Sequence, residues 1–82
     1  MIVELEGIVM DKDYKDFEID GKKAIELYLF QKGEIEPVRV LTSDAVDVDQ
    51  LDTVKVKGKV VARQFGKRVY LQVRAMTIEK LI

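Results

Sequence analysis

Apolar and polar residues alternate with a period of two along most of this chain, the pattern of strands that turn one face to a core. In IVELEGIVM (2–10), Val3 and Leu5 fall on one face and Glu4 and Glu6 on the other, until Gly7 interrupts and Ile8, Val9 and Met10 resume. A glycine inside a strand pattern predicts a bulge or a sharp bend. The charged run DKDYKDFEIDGKK (11–23) ends in the turn dipeptide Asp20-Gly21 and reads as a loop. A second strand, AIELYLFQ (24–31), is apolar on both faces, with Ile25, Leu27 and Leu29 inward and Ala24, Glu26, Tyr28 and Phe30 outward. Pro37 opens a third strand, VRVLT (38–42), at the one position where a missing N–H is harmless. Residues 43–53 read as a short helical or irregular connector, capped by Ser43 or Asp44, with Val46 or Val48 and Leu51 turned inward. The fourth strand, 54–63, sets Val54, Val56, Val60 and Ala62 against Lys55, Lys57, Lys59 and Arg63, with Gly58 on the apolar side. A turn at Phe65-Gly66 follows. A two-residue type I′ turn centred there would force Phe65 to positive φ, so a longer turn of about three to five residues is expected, with Gly66 left-handed. In 69–82, Val69, Leu71, Val73 and Ala75 face inward and Tyr70, Gln72 and Arg74 outward.

Five strands in one open sheet would leave two long apolar edges, and closure removes them. Three strands, a connector and two strands fit an all-β domain: a five-stranded OB-fold Greek-key barrel with a short helical or irregular connector between strands 3 and 4. The 82 residues make one domain (1–82), of a size that buries only about 60% of its unfolded surface.

Composition narrows the chemistry. The chain has no cysteine, so disulfides and thiolate metal sites are excluded. It has no histidine either, which removes the usual neutral-pH base along with the usual nucleophile. The expectation is a protein that is not an enzyme and carries no cofactor. Asp44, Asp47, Asp49 and Asp52 lack the spacing of a calcium loop and its bidentate glutamate, so no metal is expected. The first apolar run holds two glutamates and no basic leader, and no apolar segment approaches the roughly 20 residues that span a bilayer. The expected setting is the cytoplasm, without a membrane.

The net charge of −1 conceals two opposed halves. Residues 1–54 hold 14 acids and 6 bases, a balance of −8, whereas residues 55–74 hold seven bases and no acid. Local field, not net charge, governs how a polyanion is met. The run DTVKVKGKVVARQFGKRVYLQVRAMTIEKL (52–81) resembles the last two strands of bacterial and phage single-stranded DNA-binding proteins of the OB-fold class. These proteins have a basic strand, a hairpin carrying an aromatic, a glycine and cations, and a closing strand that ends on leucine. Over residues 1–42 the strand order and the Asp20-Gly21 turn agree. The chain lacks the acidic-tipped tail of the larger bacterial members, and its length is closer to the phage type. The resemblance implies single-stranded nucleic acid as partner, DNA before RNA, bound with little sequence preference, with homo-oligomerisation open; the alternative is a protein-interaction or oligomerisation module that binds no nucleic acid.

OB-folds bind along strands two and three and in the loops joining strands one–two and four–five. Single strands are held by cations on phosphates and by rings on which bases stack. In the 4–5 hairpin, Arg63, Lys67, Arg68, Phe65 and Tyr70 meet that demand, with Arg74 further along the strand. Phe65 either faces a base or plugs the barrel end. Tyr28 and Phe30 form either a stacking platform or a dimer contact, and Arg39 is the neighbouring phosphate partner. Lys55, Lys57 and Lys59 are either phosphate ligands or the guard of an edge strand. Tyr14 and Phe17 lie in a run with too many acids for phosphate, and are expected to pack locally or meet a protein.

Overall fold

The computed structural model describes residues 1–43 and 47–81. Its strands are β1 (Ile2–Ile19), β2 (Lys22–Phe30), β3 (Val38–Ser43), β4 (Thr53–Phe65) and β5 (Arg68–Leu81). No helix occurs among the described residues, hence none long and apolar enough to cross a membrane.

The strands pair in the order β1-β2-β3-β5-β4, and β4 returns to β1, so the sheet closes into a barrel. All neighbours are antiparallel except β3 and β5, which run parallel from Arg39↔Gln72 to Leu41↔Arg74. Of the inward sets, Ile25, Leu27, Leu29, Val54 and Val56 form the core with Val9, Val40 and Val73, joined by Val48 from the connector; Val3, Leu5 and Val60 pack against it half-buried, while Ala62, expected inward, is exposed. Fully burying such a side chain is worth about 1.5–3 kcal/mol.

β1 can serve two partners because it bends. It pairs with β4 over residues 2–8 and with β2 from Ile8 onward, with a register shift between Val9 and Asp11. The irregularity expected at Gly7 lies instead at Met10, since Gly7 pairs in unbroken register with Val54 and the change of neighbour falls at Ile8. Gly58 has a different role. β5 carries an extra residue, Met76, between the pairs Gly58↔Ala75 and Lys57↔Thr77. A Cβ on Gly58 would overlap the Arg74 carbonyl oxygen and lie 2.9 Å from Val73 Cγ1.

Several expectations are corrected. Residues 11–19 are strand, not loop: β1 continues along β2, with a second register shift between Tyr14 and Glu18, to a two-residue turn at Asp20 (φ 52°) and Gly21 (φ 77°), the type I′ signature. Charges fill both faces of this hairpin because its end projects beyond the core, which erases the alternation expected of a half-buried strand. The second hairpin also has a two-residue turn, with Phe65 paired to Arg68 around Gly66 and Lys67. Its centre is one residue later than expected. Gly66 takes the positive φ of 61° and Phe65 stays in the strand, so the strain that argued for a longer turn never arises.

Val69 and Leu71 have the inward phase but are 66% and 67% exposed. β1 stops pairing at Lys59 and β3 at Gln72, so the end of the β4–β5 hairpin projects from the barrel with no core beneath it. β4 is not an edge strand where its lysines lie: residues 53–59 pair with both β1 and β5. In the connector, residues 47–52 are irregular, while Asp44 and Val46 lie outside the described residues. Val48 is buried as expected, but Leu51 is 72% exposed at φ 77° because its N–H is committed to the Val9 carbonyl at 2.7 Å.

Candidate nucleic-acid interface

Outward-phase residues of four adjacent strands meet on one side of the barrel. β2 contributes Tyr28, β3 Arg39, β5 Tyr70 and Arg74, and β4 Lys59 and Arg63. Tyr28 is paired with Arg39, Arg63 with Tyr70, and Lys59 with Arg74. The Arg39 guanidinium carbon lies 4.3 Å from the Tyr70 ring centre and 5.6 Å from that of Tyr28, both within cation–π range. Three residues far apart in sequence thus form a single cluster, a planar cation bridging two rings.

The hairpin end extends this face. Phe65 shares the phase of Arg63 and is 80% exposed, so it faces solvent and does not plug the barrel. Arg68 stands opposite it, and Lys67 occupies the turn. Beyond Arg74 the face runs into a hollow of about 470 Å³ between Phe17, Leu41, Ser43 and Met76, a size typical of small-ligand sites.

Three predicted residues stand apart from this cluster. Phe30 is paired with Ile8 at the end of β2, beyond the last β2–β3 pair, Leu29↔Val38. Lys55 is ion-paired with Glu4 at 2.9 Å and lies between Glu6 and Glu79 in the ladders. The pair, a hydrogen bond first and charge second, lowers the Glu4 pKa and raises that of Lys55. Lys57 has Glu4 opposite it. The lower half of the lysine stripe thus balances β1 acids, and only Lys59, beside Arg74, adjoins the cation cluster. Tyr14 and Phe17 remain about half exposed near the end of the β1–β2 hairpin. Asp52 accepts from the Asp49 N–H at 2.8 Å and pairs with Lys80, which together lower its pKa.

Sequence reasoning missed a polar network beneath the rings. Glu26 is 2% exposed although it has the outward phase. Its Oε1 accepts from Tyr28 Oη at 3.0 Å and lies 3.3 Å from Lys15 Nζ, and its Oε2 accepts from Gln72 Nε2 at 2.6 Å. Burial alone pushes the Glu26 pKa up and is the largest single influence. The donors from Gln72, Tyr28 and Lys15 together outweigh it and hold the carboxyl below its ordinary value. Burial, then the bond to Glu26, raises the pKa of Tyr28. Lys15 is raised chiefly by its hydrogen bond to Asp13 at 2.9 Å. The available signal was a lone acid in AIELYLF, a run apolar on both faces.

No family model matches this chain, and no curated protein does.

Proposed function

We propose that this chain is a non-catalytic OB-fold protein that binds single-stranded nucleic acid, DNA before RNA, with affinity drawn from stacking and phosphate contacts. The observation that carries the reading is the Tyr28–Arg39–Tyr70 cluster on the β2–β3–β5 face, continuous with Lys59, Arg63 and Arg74. A ring of five strands in the order 1-2-3-5-4 is what the OB-fold requires, and that fold binds on strands two and three and on the 4–5 hairpin. Bases stack on tyrosine rings or on a guanidinium plane, and the cations take phosphates. Titration with oligo(dT), read by tyrosine fluorescence, tests the proposal. Binding that weakens as salt rises, and weakens again in Arg39→Ala and Tyr70→Ala, is expected. Absence of binding at low salt overturns it.

A second reading, a protein-interaction or oligomerisation module, now rests on another surface. Tyr28 is half-buried and bonded to Glu26, whereas Ala62, Gln64, Val69 and Leu71 form an exposed, uncharged side of the β4–β5 hairpin. A defined oligomer in sedimentation, broken by Val69→Lys without loss of fold, would favour it.

A further inference from the structure

The same face holds an acceptor that the described residues leave unsatisfied. Gln72 is 4% exposed, its Nε2 is fixed by Glu26, and its Oε1 has no hydrogen-bond partner among the described residues. Turning the amide round gives no relief, because Oε1 would then oppose the Glu26 carboxylate, acceptor against acceptor. Gln72 lies between Tyr70 and Arg74 along β5, opposite Arg39 on β3 and Val61 on β4. With the Glu26 carboxylate adjoining it, the floor beneath the rings is rich in acceptors. A site with a buried acceptor left unpaired discriminates in favour of a ligand able to donate.

We infer that Gln72 is a base-selecting residue, whose Oε1 accepts the exocyclic amino group of a cytosine or adenine stacked on Tyr28 or Tyr70 once Arg39 has left the ring faces for a phosphate. The inference rests on the single-strand reading above. Thymine and uracil present a carbonyl oxygen where cytosine presents an amino group, and an acceptor-rich floor disfavours them. Oε1 is enclosed in the unliganded chain. Arg39 lies opposite Gln72 in the ladder and rests on the ring faces, so the proposal requires it to turn outward onto a phosphate when a base enters. Oligo(dC) and oligo(dT) of equal length carry the same phosphate charge but differ at C4, at N3 and in the thymine methyl group, so the change of their ratio on replacing Gln72, not the ratio alone, reports on this side chain.

The test is a pair of titrations at neutral pH and fixed salt, with oligo(dC) and oligo(dT), on the wild-type chain, on Gln72→Met and on the double variant Glu26→Leu/Gln72→Met. The double variant removes both partners, so no buried carboxylate loses its donor. The wild type is expected to bind oligo(dC) roughly tenfold more tightly than oligo(dT), the worth of one good hydrogen bond. In folded Gln72→Met the ratio falls to near one while oligo(dT) affinity stays within about twofold, the stacking and phosphate terms being untouched; in the double variant, which also removes the acceptor that orients Tyr28, only the ratio is read, and it too falls to near one. Equal affinities in the wild type overturn base selection and leave the single-strand reading standing. A preference that survives in either folded variant removes Gln72 from the role. If neither oligomer binds, the single-strand reading fails and base selection with it.

Discussion

Glu26 is the residue on which the order of the tyrosine–arginine face depends. Its carboxylate holds the Tyr28 hydroxyl and the Gln72 amide, and through Tyr28 it orients one of the two rings on which Arg39 rests. Because its pKa in the folded chain is lowered, the unfolded chain binds the proton more tightly. The stability Glu26 contributes is therefore complete above the ordinary carboxylate range and is lost as pH falls through its folded value. Thermal melts of wild type and Glu26→Gln should differ most near neutrality and converge in acid; a gap constant down to the lowest pH at which both fold would contradict this. Phe65 makes the opposite prediction. Being 80% exposed, it should become alanine with a stability change within about 0.5 kcal/mol. Its loss from a stacking site should still weaken single-strand binding by about 1–3 kcal/mol, measured in the same titration.

At the level of elements, the strands were legible in the sequence wherever one face meets the core. Val54, Val56 and the lysines that alternate with them announce β4 by alternation alone. Legibility failed where a strand leaves the barrel. The second half of β1 is charged on both faces, so it reads as loop, and Val69 and Leu71 keep an inward phase with nothing inward to meet. Of the candidate site, phase placed Tyr28, Arg39, Arg63, Tyr70 and Arg74 on the outer face, since period two is local. Which of them touch is set by the β3–β5 pairing, a long-range register that no local pattern encodes. The same limit hid the Glu26–Gln72 bond, which joins residues 46 positions apart. Two glycines test the elements themselves. Gly58→Ala forces a methyl against the Arg74 carbonyl and should cost about 1–3 kcal/mol in chemical denaturation. Gly66→Val places a β-branched residue at φ 61° and should cost about 1–3 kcal/mol, with exchange of hairpin amides accelerated. A neutral outcome at either position would mean that the local backbone differs from that described.

Across the whole molecule, an acidic chain presents one acid-free segment, and closure of the sheet determines which way that segment faces. Lys55 and Lys57 are turned against β1 acids, while Lys59, Arg63, Arg68 and Arg74 adjoin the tyrosine–arginine cluster. The chain can thus be nearly neutral overall and still offer a polyanion a local positive track. Six cations (Arg39, Lys59, Arg63, Lys67, Arg68 and Arg74) lie on or next to that track. If three to six of them meet phosphates, log K should fall with log salt at a slope of about −2 to −4. The most direct measurement is that slope for oligo(dT), compared between wild type and Arg68→Glu and repeated with duplex DNA. The account predicts a slope in that range, a shallower one in the variant, and weaker binding to duplex. Binding that is absent at low salt, or that ignores salt, contradicts it.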